Sequence, residues 1–328
     1  MSRFREGLYY EKLKNKKVRC NLCPHKCILK DGQLGICNGR QNKHGILYTL
    51  NYGKISSYTY DPIEKKPLYH FYPSSNIFSI GTFGCNLRCS FCQNWQIAHS
   101  QPSIVEISDE DIIKLAKSNS SIGIAYTYNE PTIWYEYILN MAEKIKKEGL
   151  KNIYITNGYI EKEPLEELLP YIDAMNIDLK AIDDEFYKEI CKGHINPVLE
   201  TVELAQKKTA VEITTLLIEG MNDSMEKIRE ISKWISSIDK DIPLHLTRYY
   251  PAFKMNIPPT SYDSLLKAKE EAEKYLNYVY IGNVWGIDVN TYCPKCNKKL
   301  IERSNKVKLT GIENGRCINC NYSINLKH

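Results

Sequence analysis

From residue 76 onward, short apolar runs and longer amphipathic stretches take turns along the chain. The runs are "NIFSI" (76–80), "SIGIAYTY" (121–128), "NIYIT" (152–156), "AMNIDL" (174–179), "AVEITTLLI" (210–218) and "IPLHLTRYY" (242–250). Short and rich in Ile, Tyr and Thr, they read as strands. The stretches between them have helical character and helix punctuation. "SDEDIIKLAKS" opens on Ser108 as N-cap with Asp111 three residues later, where Glu or Gln is the usual partner. "PTIWYEYILNMAEKIKKEG" starts at Pro131 and stops at Gly149, the expected asymmetry of helix ends. "PVLETVELAQKK", "SMEKIREISKWISSI" and "YDSLLKAKEEAEKYL" complete the series. Alternating strand and helix means a parallel sheet. Six such units predict an α/β protein built on an incomplete (βα)6 barrel over residues 76–290. Before it, residues 1–75 lack a helical period and carry glycines at 32, 35, 39 and 45, which suggests an irregular module of tight turns. Residues 291–328 form a short tail.

The 328 residues, 43% hydrophobic and 25% charged, suit a globular protein with a sizeable core. No run of eighteen apolar residues predicts a membrane span, and "MSRFREGLYYEKLKNKK" has no apolar segment behind its basic residues. The expected location is the cytoplasm. Net charge, +5 in all, is unevenly spread: residues 1–50 carry +8, residues 293–328 carry +6, and the stretch between them −9. Basic ends fit a nucleic-acid binder. They equally fit a local need, because four thiolates around a divalent metal leave an excess negative charge.

Cysteine placement favours the local need. Twelve cysteines in a chain without an export signal point to metal rather than disulfides. They fall at 20/23/27/37, 85/89/92 and 293/296/317/320, with Cys191 alone. Cys85, Cys89 and Cys92 lie in "GTFGCNLRCSFCQNW", directly after the first barrel strand, where a parallel barrel carries its chemistry. Structural zinc and ordinary iron–sulfur clusters take four ligands. Three thiolates can hold three irons of a [4Fe–4S] cluster and leave the fourth open to a small molecule. A purely structural metal site is the plainer alternative.

Cys-x3-Cys-x2-Cys with Phe91 before the last cysteine resembles the signature of the radical S-adenosylmethionine (SAM) superfamily. The resemblance implies that SAM chelates the open iron. One electron then cleaves it to methionine and a 5′-deoxyadenosyl radical, which abstracts a hydrogen atom. It also implies that Glu130, with Asn129 beside it in "AYTYNEPTI", receives SAM's amino group, although the usual Gly-Gly before the acid is Tyr128–Asn129 here. A helix cap is the other reading of that segment. Thr156 and Asn157 in "YITNGYI", and Asp178 and Lys180 in "NIDLKAID", resemble SAM-site residues of enzymes that activate glycyl-radical proteins. A strand-ending turn and a structural ion pair are their respective alternatives. His245, Arg248 and Tyr249 are further candidates to line the site, and packing is as good a reading for each. Cys191 reads as an inert buried thiol.

"CNLCPHKC", "DPIEKKPLYHF", "IGTFGCNLRCSFCQNWQI", "TNGY", "NIDLKA" and "NTYCPKC" together resemble the AmmeMemoRadiSam-system radical SAM enzymes, relatives of pyruvate formate-lyase activating enzyme. The resemblance runs from about residue 8 to 320. It implies an electron donor of the ferredoxin or flavodoxin type and, as partners, Memo-type and AMMECR-type proteins. Hydrogen abstraction from a protein or peptide, in the manner of a glycyl-radical activase, is the expected reaction. A small molecule or cofactor precursor is the alternative substrate, and a metal-stapled nucleic-acid-binding protein the alternative of another class.

Cys293, Cys296, Cys317 and Cys320 form two Cys-x2-Cys knuckles and predict a zinc-ribbon-like tail, with rubredoxin-like iron as the competitor. Cys20, Cys23, Cys27 and Cys37 suit zinc and a second iron–sulfur cluster alike, with His25 close enough in sequence to replace one thiol.

Overall fold

The structure, a computed structural model, describes residues 5–304 and 306–328. Its centre is one eight-stranded sheet: β1 (Ser57–Pro62), β2 (Asn76–Gly81), β3 (Ser121–Tyr126), β4 (Lys151–Thr156), β5 (Ala174–Asp178), β6 (Ala210–Leu217), β7 (Leu244–Arg248) and β8 (Val279–Gly282). The strands lie in chain order, and β2 through β8 are parallel. β1 joins β2 antiparallel. Among the described residues β1 and β8 each pair on one side only.

A helix sits in each connection from β2 to β8: α1 (Asp109–Ala116), α2 (Tyr135–Lys147), α3 (Lys162–Leu168), α4 (Asn196–Ala205), α5 (Met225–Ile238) and α6 (Tyr262–Ala272). All six expected strands and their helices are present. The start of α1 is capped as its sequence predicts, with Ser108 Oγ accepting from Asp111 N at 3.1 Å. Before α2 the chain makes a 3-10 turn over Pro131–Trp134, and α2 then buries Ile138, Met141 and Ile145 at helical spacing. Each of those side chains contributes roughly 1.5–3 kcal/mol by leaving water.

The N-terminal segment is more regular than its sequence suggests. Arg5–Glu6, Ile46–Thr49 and Arg40–Lys43 form one small antiparallel sheet; Tyr10–Lys12, Val18–Cys20 and Ile28–Leu29 form another. Residues 57–62, within the same segment, belong to the central sheet as β1. A buried ion pair, Arg40 with Glu136 of α2, ties this segment to the helices beside the central sheet. Removing either partner would strand a buried charge at a cost of about 3–5 kcal/mol.

The tail docks at the opposite end of the sheet from the strand C-termini. Lys327 O accepts from Tyr72 N at 2.7 Å, and Arg303 Nη2 donates to Tyr69 O at 2.7 Å. Beside this seam lies a buried polar group. His70 Nδ1 donates to Asn325 O at 3.0 Å, Nε2 accepts from Tyr280 OH at 2.7 Å, and the backbone N–H of His70 donates to Glu212. Burial, helped by Arg303 and His245 and opposed by Glu212, pushes the His70 imidazole down to about 4. The folded protein therefore keeps His70 neutral where the unfolded chain, near 6.5, already takes up a proton. Stability from this site is complete above the unfolded value and is lost as pH falls from about 6.5 towards 4, up to about 3 kcal/mol. Urea midpoints at pH 7.5, 6 and 5 should fall more steeply for the wild type than for His70→Gln. Equal slopes would show that the histidine is not the titrating group.

Candidate active site

The C-terminal ends of the strands converge on a cavity of about 270 Å³. Cys85, Cys89 and Cys92 line it from the loop after β2, and Asn129 and Glu130 from the turn after β3. Thr156 and Asn157 enter from the end of β4, Asp178 and Lys180 from the end of β5. All three cysteines of the loop and every cofactor-side candidate from the sequence thus line one cavity.

Their hydrogen bonds divide the work. Asn129 braces the cysteine loop: its Oδ1 accepts from Thr82 N at 3.0 Å and its Nδ2 donates to Gly84 O at 2.9 Å. From β4, Asn157 Nδ2 donates to Asn86 Oδ1 at 2.9 Å and lies 3.7 Å from Cys85 Sγ. Glu130 both caps and faces the cavity. Its Oε1 accepts from Thr132 N at 2.9 Å and from Thr156 Oγ1 at 2.7 Å, and its Oε2 accepts from Asn157 N at 2.8 Å. The Thr132 side chain is a further hydrogen-bonding partner, so the carboxylate is held from several sides. Burial raises the Glu130 carboxyl pKa in spite of hydrogen bonds from the Thr132 side chain, Asn157 N, the Thr156 side chain and Thr132 N. Lys180 Nζ pairs with Asp178 Oδ2 at 2.9 Å. Burial opposes the Lys180 charge, but Asp178 and the nearby thiols of Cys89 and Cys191 outweigh it and raise the ammonium pKa.

The donor set fits an iron–sulfur cluster. Burial and neighbouring charge hold the Cys85 thiol well above its usual pKa, and burial with Cys89 pushes Cys92 to about 11. For Cys89 a hydrogen bond with Cys191 is the largest cause of the rise, ahead of burial. Such thiols stay protonated until a metal displaces the protons, the usual coupling of metal binding to ionisation. Cys191 is therefore not remote: the π-helical turn Tyr187–Cys191 supports the loop, with Arg88 N donating to Cys191 O at 2.8 Å.

Several residues escaped the sequence reading. His99 lines the cavity, and because Arg88 Nη1 donates to its Nδ1 at 2.9 Å, the ring proton must sit on Nε2, which is buried without a partner. Burial, then Arg88, pushes His99 to about 4, so it is a neutral donor. Thr214 and Thr247 also line the cavity. Of the three candidates from the β7 region, none does. His245 pairs with Glu212 at 2.7 Å in the sheet interior. Arg248 donates to Thr260 O at 2.7 Å, and Tyr249 to Met255 O at 2.9 Å.

At the C terminus the four thiols gather within 4.8 Å, with Cys293–Cys320 at 3.5 Å and Cys296–Cys317 at 3.6 Å. Zn–S bonds of 2.3 Å in a tetrahedron put sulfurs about 3.8 Å apart, so the spacing suits one metal ion. The two knuckles repeat one another: Asn297 N donates to Cys293 O and Asn321 N to Cys317 O, both at 2.9 Å, with both asparagines left-handed. Short polar side chains make asparagine tolerant of that conformation. At the N terminus His25 turns away from the thiols, its Nε2 2.7 Å from Asn86 O, so it replaces no cysteine.

Comparison with known proteins agrees with this geometry. Residues 79–235 match the family model described as the Radical SAM superfamily. An uncharacterized protein of Methanocaldococcus jannaschii, MJ0808, is 44% identical over 333 residues, spanning 98% of this chain and 99% of its own. A putative glycyl-radical enzyme activating enzyme of the same organism, MJ1632, is 29% identical across 62% of this chain and 80% of its own. The pyruvate formate-lyase-activating enzyme of Clostridium pasteurianum is 27% identical across 60% of this chain and 87% of its own. Among solved structures, Streptococcus suis SuiB bound to S-adenosylmethionine superposes with a TM-score of 0.51 at 17% identity, over 64% of this chain and 52% of that one. This likeness is one of fold. The chain is an enzyme with a radical SAM α/β domain, homologous to the pyruvate formate-lyase and glycyl-radical activating enzymes.

Proposed function

We propose that Cys85, Cys89 and Cys92 hold the catalytic [4Fe–4S] cluster in an incomplete (βα)6 barrel, and that the enzyme abstracts hydrogen from a protein or peptide. The observation that carries this reading is the single cavity lined by three thiols, a buried carboxylate and an Asp–Lys pair. When bound, the cluster would supply the electron that cleaves SAM to methionine and a 5′-deoxyadenosyl radical. The chain's own residues do the positioning. Glu130 offers its buried carboxylate on the cavity wall to the SAM ammonium, a charge-assisted bond strengthened by burial. Asn129 and Asn157 fix the loop that carries the thiols. His99 Nε2–H gives the cavity a neutral donor for a carboxylate, and Lys180, held by Asp178, gives it a cation.

Homology to activating enzymes favours a macromolecular substrate. The chemistry requires a low-potential one-electron donor of the ferredoxin or flavodoxin type. Memo-type and AMMECR-type proteins are the first partners to try. Thiol ligands stay reduced in the cytoplasm, the compartment this reading needs. A metal ion, zinc by preference, would close the tail.

The test uses extract from deuterium-grown cells, split by dialysis into macromolecules and small molecules. Each half is given to the reduced enzyme with unlabelled SAM. Deuterium in 5′-deoxyadenosine from the macromolecular half, with a stable radical signal in the same half, is expected. Label arriving only from the dialysate would make the substrate a small molecule or cofactor precursor.

A further inference from the structure

The N-terminal cysteines form a second site, and its spacing separates two kinds of metal group. Cys20, Cys23, Cys27 and Cys37 border one small enclosed space together with Arg40. Three of the four thiols are buried and Cys27 is half-buried; none is in a disulfide. Yet among the described residues only the C-terminal four gather three or more metal-ligating atoms within 4.8 Å of each other. The N-terminal thiols share a cavity without closing to the distance that a single zinc or iron ion imposes, about 3.8 Å between sulfurs. Thiolates on the corners of a [4Fe–4S] cube stand roughly 6 Å apart. The same contrast sets Cys85, Cys89 and Cys92 apart from the tail.

A second observation points into the same space. Arg40 is 1% exposed, and its Nε has no hydrogen-bond partner among the described residues although Nη1 donates to Leu8 O and Nη2 to Glu136. An orphaned buried donor costs about 1–3 kcal/mol unless something accepts from it. Its neighbours across the cavity are thiols, and sulfur of a bound cluster would be the acceptor.

We propose that Cys20, Cys23, Cys27 and Cys37 ligate a second [4Fe–4S] cluster, closed by four protein thiolates, with Arg40 Nε–H donating to its sulfur. The site backs directly onto the catalytic loop. Gly84, next to Cys85, has φ +92° and packs its Cα so tightly on Cys37 O that a Cβ there would collide. Arg88 Nη2 donates to Ile36 O. This contact makes the cluster an electron relay, a consequence that rests on the proposed cluster at Cys85, Cys89 and Cys92. The low-potential donor gives up one electron, the N-terminal cluster is reduced by one and then reoxidised by one, and the catalytic cluster gains that electron.

The experiment compares the full-length wild type with Cys85→Ala/Cys89→Ala/Cys92→Ala, both reconstituted anaerobically, by iron, labile-sulfide and zinc counts and low-temperature EPR. The triple variant should keep about four irons and four sulfides per chain, half the wild-type number, and give a cubane signal on reduction. Adding Cys23→Ala and Cys37→Ala should remove them. A triple variant with no labile sulfide, whether it holds zinc or a lone iron, would overturn the proposal. These counts do not depend on SAM cleavage, so failure of the catalytic reading leaves them interpretable. In the fully reduced wild type the two signals should broaden each other by spin coupling. Two independent spectra would overturn the relay while leaving the cluster.

Discussion

Cys89→Ala should abolish SAM cleavage, lowering 5′-deoxyadenosine formation by at least about a thousandfold, the order of loss expected when catalysis loses its cofactor. Cys89 is the middle cysteine of the three and the most enclosed, 7% exposed and in hydrogen-bond contact with Cys191. Two thiols cannot hold the corner-open cube that three can, so the variant should lose the catalytic cluster outright. Loss through unfolding is not expected. Cysteine to alanine removes one sulfur from a wall that already faces a cavity, and large cavity costs come from bulky residues. The melting temperature should therefore stay close to that of the wild type prepared without iron. Cys191→Ala provides the contrast. It removes a hydrogen bond to Cys89 but no ligand, so cleavage should persist at reduced rate with a perturbed cluster spectrum. If Cys191→Ala were as dead as Cys89→Ala, the π-helical turn would be supplying a fourth ligand, and the open coordination position would be gone. Wild type that made no 5′-deoxyadenosine with a full complement of iron would sink the catalytic reading itself.

What the sequence revealed and what it hid follow from where each signal lives. The three cysteines that line the cavity were legible because they sit within a single loop. Strands β2 to β7 were legible because a strand buried on both faces reads as a continuous apolar run. The edges were not. β1, "SYTYDP", is an antiparallel edge with Tyr58 exposed, and β8 has only four residues, so neither carries a run long enough to stand out. His245 shows a subtler limit. Alternation puts it on the same face as Thr247, which does line the cavity. It lies two residues earlier, however, and at about 3.3 Å per residue that is a full layer deeper, among Glu212 and His70. Alternation reports which face a side chain takes, and depth along the strand depends on register with the neighbours. His99 was invisible for a similar reason: its proton and its orientation are set by Arg88, eleven residues away around a loop.

Glu130→Gln should weaken SAM binding by roughly 10- to 150-fold, the equivalent of the 1.5–3 kcal/mol of a hydrogen bond to a charged group. The structure makes the test a demanding one, because Glu130 already does the work of a cap. Glutamine can keep its oxygen towards Thr132 N and Thr156 Oγ1, the two donors on Oε1. Its amide then faces Asn157 N, donor against donor, where Oε2 had accepted. Some loss of stability, about 1–3 kcal/mol, follows from that alone and says nothing about SAM. The affinity of cluster-loaded protein for SAM, measured by equilibrium dialysis below the melting transition, separates the roles. A residue that only caps would lower the melting temperature and leave the dissociation constant where it was. A residue that also receives the ammonium would raise the constant and lower its pH sensitivity. The sign follows from the carboxyl, whose pKa burial raises: in the wild type, binding should weaken as acid protonates Glu130, and glutamine has no such proton to gain. Unchanged affinity with an unchanged pH profile would reduce Glu130 to a cap and transfer the ammonium to Asp178, the other carboxylate on the cavity wall.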